Sequence, residues 1–304
     1  MTYLFLLFWI VCAVCIIREQ RVIRLIFLLG VFSLISSVCF LMLAAPDVAM
    51  AEAVVSGFTT IIFIVCFEKY YHLVDTPGTV PKASGFKSLA PLCFTMVLAA
   101  LFVLAIPNGS PNTYLKESYL SAFERDIGGE NAVTAIYLGY RMYDTLFEAL
   151  TLLVSIVAVI HLSRHSEMSA AGGPHHDLRY SAIATITIRL ICPVMLLFSV
   201  YLVMNGHISP GGGFQGGVMA ASLFVCRYMI YDIYDMRIKK FLTLEKLVYV
   251  GIILVAVYFI FLGAHDYLPI PQSVYLILMN LLVGIKVMCG FFIVFYRFIA
   301  FERR

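Results

Sequence analysis

Apolar residues run through this chain in long blocks separated by short polar intervals. Blocks close to the ~20 residues that a helix needs to cross a bilayer fall at 2–17, 22–45, 48–67, 88–106, 144–163, 180–204, 215–231, 247–264 and 275–299. They predict an all-α, polytopic membrane protein with about nine transmembrane helices. The intervals 68–87, with Thr76-Pro77-Gly78 and Pro81, and 165–178, with Gly172-Gly173-Pro174-His175-His176, read as linkers. They group the helices as 3 + 2 + 4, in modules 1–75, 76–170 and 171–304. The interval 107–143 opens on the turn residues Pro107-Asn108-Gly109. Within it, Tyr114 to Phe123 mixes apolar and charged positions as a short interfacial helix would, and Gly128-Gly129 would stop it.

Charge then orients the spans. With the N-terminus outside, seventeen of the 21 Lys and Arg residues fall in intervals on the inner side. Only Lys116, Arg125 and Arg141 fall outside, and Lys286 lies within a span. This asymmetry is the positive-inside pattern, and it favours an odd number of spans. The first basic residue, Arg18, follows the first apolar block, the reverse of a cleaved leader, so that block is expected to be retained.

Composition narrows the function classes. Apolar residues make up 62% of the chain and charged ones 13%, about half the charged share of a soluble domain, which excludes a soluble enzyme. A net charge of +3 without a basic run gives no reason to expect a nucleic-acid partner. The eight cysteines lie in or beside apolar blocks; Cys12-x-x-Cys15 lacks a second pair and reads as small helix residues. The His175-His176 pair lacks a third ligand and reads as solvated. No metal site, cofactor motif or nucleophile–base pair is expected.

Ionisable groups inside apolar blocks are the informative exceptions, because a charge at mid-bilayer costs about 3 kcal/mol. In the third block, Asp47 stands at the outer edge and Glu52 further in, followed by Ser56, Thr59 and Thr60 at helical spacing. That stripe suits a proton or cation relay; the alternative is a Glu held by headgroups or a neighbouring helix. In the fifth, Arg141, Asp144 and Glu148 share a face that Thr151 and Ser155 continue. Arg141 and Asp144 can neutralise each other, which leaves Glu148 as the deeper group. Lys286 stands in the ninth block with no charge within ten residues, so it is expected to face protein or water. It reads either as a relay or as a counter-charge to a carboxylate on a neighbouring subunit, since none lies near it in this sequence. Between the sixth and seventh blocks runs Asn205-Gly206-His207-Ile208-Ser209-Pro210-Gly211-Gly212-Gly213-Phe214-Gln215-Gly216-Gly217. Its glycines permit positive φ and close backbone approach. It is neither a Walker loop nor a dinucleotide fingerprint; a tight re-entrant turn packed on helices and an anion cradle are the two readings.

The same stretches carry a resemblance. Pro46-Asp47-Val48-Ala49-Met50-Ala51-Glu52-Ala53 through Gly57-Phe58-Thr59-Thr60 resembles the D subunit of membrane-bound hydrogenases and the carboxy-terminal module of the large subunit of Mrp antiporters. Asn131-Ala132-Val133-Thr134-Ala135-Ile136 with Arg141 to Glu148 resembles the hydrogenase E subunit; Phe147 stands where a Gly is expected in this motif, and Ser56 where a smaller residue is usual in the preceding one. Gly206 to Gly217, with Asn280 to Val287, is similar to the Mrp B subunit. The resemblance implies a membrane subunit of a multi-subunit Na⁺/H⁺ antiporter in a prokaryotic cell membrane, one that a redox arm could drive. Its partners would be other membrane subunits, Na⁺, H⁺ and the lipid bilayer. Asp47, Glu52, Thr59, Thr60, Asp144, Glu148 and Lys286 would serve ion translocation, and the glycine-rich loop would be structural.

Overall fold

A computed structural model describes residues 2–71, 85–105, 113–166, 181–230, 238–261 and 271–299. The linker residues Thr76, Pro77, Gly78, Pro81, Gly172, Gly173, Pro174, His175 and His176, and the turn Pro107-Asn108-Gly109, lie outside them. All regular structure among the described residues is helical. The order is α1 (Thr2–Arg18), α2 (Val22–Met42), α3 (Pro46–Tyr71), α4 (Gly85–Ala105), α5 (Tyr114–Ile127), α6 (Ala132–Ala135), a π-helical turn (Ile136–Tyr140), α7 (Met142–Ser166), α8 (Ala182–Asn205), α9 (Gly213–Ile230), α10 (Ile238–Phe261) and α11 (Gln272–Ile299).

Among the described residues, six helices are long and apolar enough to cross a membrane: Val22–Met42, Pro46–Phe67, Met142–Ser163, Ala182–Asn205, Ile238–Phe261 and Gln272–Phe298. The described apolar stretches of α1 and α4, Tyr3–Arg18 and Cys93–Leu104, are shorter. In α9, Gln215, three glycines and Arg227 dilute an 18-residue helix. The chain is a multi-pass membrane protein, and its exposed leucines, valines and phenylalanines need lipid or neighbouring protein as their solvent.

Local chemistry sets the helix ends. Pro46 opens α3 at a position where its missing N–H costs nothing. The Ser181 hydroxyl accepts from Ala184 N at the start of α8. Gly128 closes α5 in the left-handed region, φ 77°, at the Gly128-Gly129 pair that the sequence predicts as the stop of a short helix.

Helix α11 is the central post: 56% of its spanning window is buried, against 28% or less in the other five. On one side, Val54, Phe58, Ile62 and Val65 of α3 and Val218, Ala221 and Val225 of α9 close on Val287 and Phe295. On the other, Leu138 and Met142 with Val248, Ile252 and Ala256 of α10 close on Tyr275, Leu276 and Met279. Helix α9 lies against α11 so closely that a Cβ at Gly217 would come 2.6 Å from the Gly284 carbonyl, which explains a small residue there. Cys12 is buried with Ile35 and Cys39, and all eight cysteines are free thiols, as their apolar setting suggests.

Candidate functional site

Side chains from six elements line one cavity of about 390 Å³, with Val133 the contribution of α6. Asp47 comes from α3, Tyr137 from the π-helical turn, Thr145 and Glu148 from α7, Gln215 from α9 and Lys286 from α11. Helical periodicity explains the pairing of charged and apolar lining. On α7, Thr145, Glu148, Ala149 and Leu152 share one face, and on α11 Val283, Lys286 and Val287 do the same.

Asp47 is buried. Its Oδ1 accepts from Asn131 Nδ2 at 3.1 Å and from the Gly211 amide at 3.0 Å. Asn131 also donates to the carbonyls of Gly206 (3.2 Å) and Ser209 (3.0 Å), while its own oxygen caps α6 through Val133 N and Thr134 N. One amide side chain thus ties α3, the outer segment and the glycine-rich loop together.

That loop is a tight turn, and several of its backbone groups bond within the protein, while the buried Nδ1 of His207 has no hydrogen-bond partner among the described residues. The Gly206 carbonyl accepts from Thr134 Oγ1 at 2.6 Å, and the His207 carbonyl accepts from the amides of Glu130 and Asn131 at 3.0 Å. Gly211 takes φ +134°, and its amide faces the Asp47 carboxylate. The Gly213 amide donates to Asn280 Oδ1 at 3.1 Å, which also accepts from Tyr137 Oη at 2.9 Å. Within the loop, the Gly211 amide thus serves an internal carboxylate, and the Gly213 amide a neutral side-chain carbonyl. Beyond Pro210, Gly212 and Gly213, Phe214 meets Phe291 edge-to-face at 6.2 Å, and the Gly216 carbonyl accepts from Ser199 Oγ at 2.9 Å.

Lys286 corrects the sequence reading. It is not without a partner in this chain: its Nζ pairs with Glu245 Oε1 of α10, both side chains are 1% exposed, and the Tyr249 ring centroid lies 4.6 Å from Nζ. Glu245 escapes the sequence reading because an apolar block beginning at 247 leaves it among Lys239, Lys240 and Lys246, as if in a loop. The helix starts earlier, at Ile238. The signal that could have found it is periodicity, since Glu245, Val248, Ile252 and Ala256 recur on the buried face of α10.

Not every candidate reaches the cavity. Glu52 is half-buried, outside the lining, and makes no hydrogen bond among the described residues. The hydroxyls after it turn back onto their own helix: Ser56 donates to the Ala53 carbonyl and Thr59 to that of Val55 at 3.0 Å. Thr60 packs towards Gly30 of α2, where an added Cβ would lie 3.0 Å from Oγ1. Thr151 and Ser155 likewise donate to the carbonyls of Glu148 and Thr151. Arg141 and Asp144 do neutralise each other, at 2.6 Å and well exposed. No cluster of three metal-ligating side chains occurs among the described residues. In the outer segment, the Arg125 guanidinium and the Tyr140 hydroxyl beside Asp126 hold its carboxyl below the usual range.

A charged cavity between apolar helices marks the class: a multi-pass membrane protein with buried ionisable groups. Comparison with known proteins narrows it. Residues 7–71 match the family model of the D subunit of membrane-bound hydrogenase (MBH), and residues 183–293 match the model of a domain related to the MnhB subunit of the Na⁺/H⁺ antiporter. The two matches fall on separate parts of the chain, one similar to a hydrogenase subunit and the other to an antiporter subunit. The chain is 25% identical over 262 residues to a Rhizobium meliloti protein named as the A/B subunit of a probable K⁺/H⁺ antiporter, covering 74% of this chain and 26% of that protein. It is 27% identical over 159 residues to a Staphylococcus epidermidis protein named as the putative antiporter subunit mnhA2, covering 52% and 19%. The chain thus spans about a quarter or less of the length of these relatives. Its fold matches a chain of the Mrp complex from Dietzia sp. DQ12-45-1b with a TM-score of 0.81 at 17% identity, over 99% of this chain and 35% of that one. A chain of the archaeal membrane-bound sulfane sulfur reductase matches with a TM-score of 0.57 at 24% identity, over 69% and 97%.

Proposed function

We propose that this chain is a membrane subunit of a multi-subunit monovalent cation/proton antiporter in a prokaryotic plasma membrane, with Na⁺ as the expected cation. The observation that carries this reading is the convergence of Asp47, Glu148 and Lys286 on one cavity. Lys286 is already neutralised by Glu245, and neither Asp47 nor Glu148 has an ion-pair partner among the described residues. Asp47 is buried and hydrogen-bonded, while Glu148 lines the cavity from an exposed position on α7. A carboxylate without a cationic partner inside a membrane is costly until a proton or cation joins it, so the cavity is suited to binding and releasing either.

In this reading the spans number nine, as 3 + 2 + 4, in modules 1–75, 76–170 and 171–304. Glu148 and Lys286 exchange protons with the cavity, and Asp47, fixed by two donors, sets the field there. Glu52 serves the path from α3, with Thr59 and Thr60 as acceptors along it, and Asp144 stands with Arg141 at its outer end. Other membrane subunits supply the longer helices of the exchanger. A redox-driven variant of the complex is the second reading, favoured by the hydrogenase D-subunit match. An iron–sulfur subunit co-purifying with this chain would identify it.

The test is reconstitution. The whole complex in liposomes should couple an imposed Na⁺ gradient to proton movement, the complex without this chain should not, and this chain alone should not. Robust exchange by the isolated chain, or undiminished exchange by an assembled complex lacking it, contradicts the proposal. Replacing Na⁺ by K⁺ in the same assay assigns the cation.

A further inference from the structure

We propose that Glu245 is a second proton-accepting site of this chain, and that Lys286 passes protons between it and Glu148. This rests on reading the cavity as an ion path, and it extends that path to α10.

Lys286 stands on α11 between α7 and α10, and it is the group common to the cavity and the buried pair. Every ionisable or polar group facing it enters the argument: Glu148 and Thr145 from α7, Tyr137 from the π-helical turn, Asp47 from α3, Gln215 from α9, and Glu245 with Tyr249 from α10. Cys289, buried one turn further along α11, is the remaining titratable neighbour.

A buried ammonium–carboxylate pair and a buried amine–carboxylic acid pair carry the same net charge, so a proton moves within the pair without creating an isolated charge. In the first step the Lys286 N–H bond breaks and an O–H bond forms at Glu245, leaving a neutral amine and a neutral acid. In the second, the amine lone pair takes the proton of a protonated Glu148, whose O–H bond breaks to leave a carboxylate on the cavity side. Two bonds to hydrogen break and two form. The result is one proton carried from α7 to α10, with Lys286 again an ammonium. The four-carbon lysine stem supplies the reach, and the Tyr249 ring at 4.6 Å favours the charged form as it re-forms.

Packing alone does not call for this pair. Val248, Ile252 and Ala256 on the same face of α10 close on α11 through apolar contact, and replacing a buried ion pair by apolar residues of similar volume is often neutral or stabilising.

That fact supplies the test, made in the assembled complex with co-purification as the measure of assembly. The double variant Glu245→Met/Lys286→Met removes both charges together. It should assemble and lose exchange by on the order of 100-fold, the low end of what a positioned proton donor contributes. Glu245→Gln, which keeps shape and a hydrogen-bond acceptor, should assemble and lose a comparable amount. It should also lose one protonated-carboxyl infrared band that appears in the wild-type complex during proton loading. Wild-type exchange in either assembled variant, or an unchanged infrared difference spectrum in Glu245→Gln, overturns the proposal. Loss in Glu148→Gln with full exchange in Glu245→Gln removes only this relay, whereas full exchange in Glu148→Gln removes the reading of the cavity itself.

Discussion

Replacing Asn131 by Ala tests whether one side chain holds the outer end of the molecule together. The substitution removes the oxygen that caps α6, worth about 1 kcal/mol. It also removes a hydrogen bond to the Asp47 carboxylate, about 1.5–3 kcal/mol for a charged acceptor. Its two N–H groups serve three acceptors, and the carbonyls of Gly206 and Ser209 lose about 1 kcal/mol more between them. Gly206 keeps Thr134, and Asp47 keeps the Gly211 amide, so the expected loss is roughly 3–4 kcal/mol rather than the full sum. Asn131→Asp should be at least as damaging although it keeps the cap, because it sets a second carboxylate against Asp47. The assay is thermal unfolding of the detergent-solubilised complex, run as a double-mutant cycle with Asp47→Ala. A coupling of about 1.5–3 kcal/mol is expected from the charged hydrogen bond. A melting temperature equal to the wild type for Asn131→Ala, or zero coupling with Asp47→Ala, refutes the reasoning.

Other perturbations follow from the same geometry. A methyl group at Gly213 would run into the Asn280 carbonyl, so Gly213→Ala should destabilise the complex by about 1–3 kcal/mol in the same unfolding assay. Asp144→Asn breaks only an exposed pair and should change stability by less than about 1 kcal/mol; a larger loss would show the pair to be buried by a neighbour. Asp126 has its carboxyl lowered by Arg125 and Tyr140. The stabilisation of the outer segment from that ionised form is complete above the ordinary Asp range and fades as pH falls through it. Asp126→Asn should flatten that dependence in proteolysis of the 113–131 segment between mildly and strongly acidic pH, and an unchanged profile would contradict the assignment. Cysteines introduced at Gln20 and Ser118 should be labelled from opposite sides of the membrane, and labelling from one side rejects the nine-span topology.

Helix existence was legible because apolar runs long enough to cross lipid leave little choice of structure. The misplaced start of α10 shows where that logic stops. A helix can extend out of its apolar block, and Lys239, Lys240 and Lys246 make its first turns look like a loop, hiding Glu245. The glycine-rich turn was readable from its composition. Its ligands were not, since Asn131 and Asp47 are 84 residues apart, and Gly211 and Asp47 are 164 apart. Periodicity also picked an incomplete face of α7. It joined Glu148 to Thr151 and Ser155, which bond back to their own helix, and passed over Thr145, which lines the cavity and donates to the Tyr137 carbonyl at 2.6 Å. That bond exists because a π-helical turn precedes α7, and Ile-Tyr-Leu-Gly-Tyr carries no local signal for one.

The central claim is that the cavity shared by α3, α7, α9 and α11 carries the ions. It is tested most directly by Na⁺-driven proton movement in liposomes holding the complete complex with Glu148→Gln, a change that keeps shape and removes titration. The account predicts an assembled complex that has lost most of its exchange. An assembled Glu148→Gln complex exchanging at the wild-type rate would contradict it.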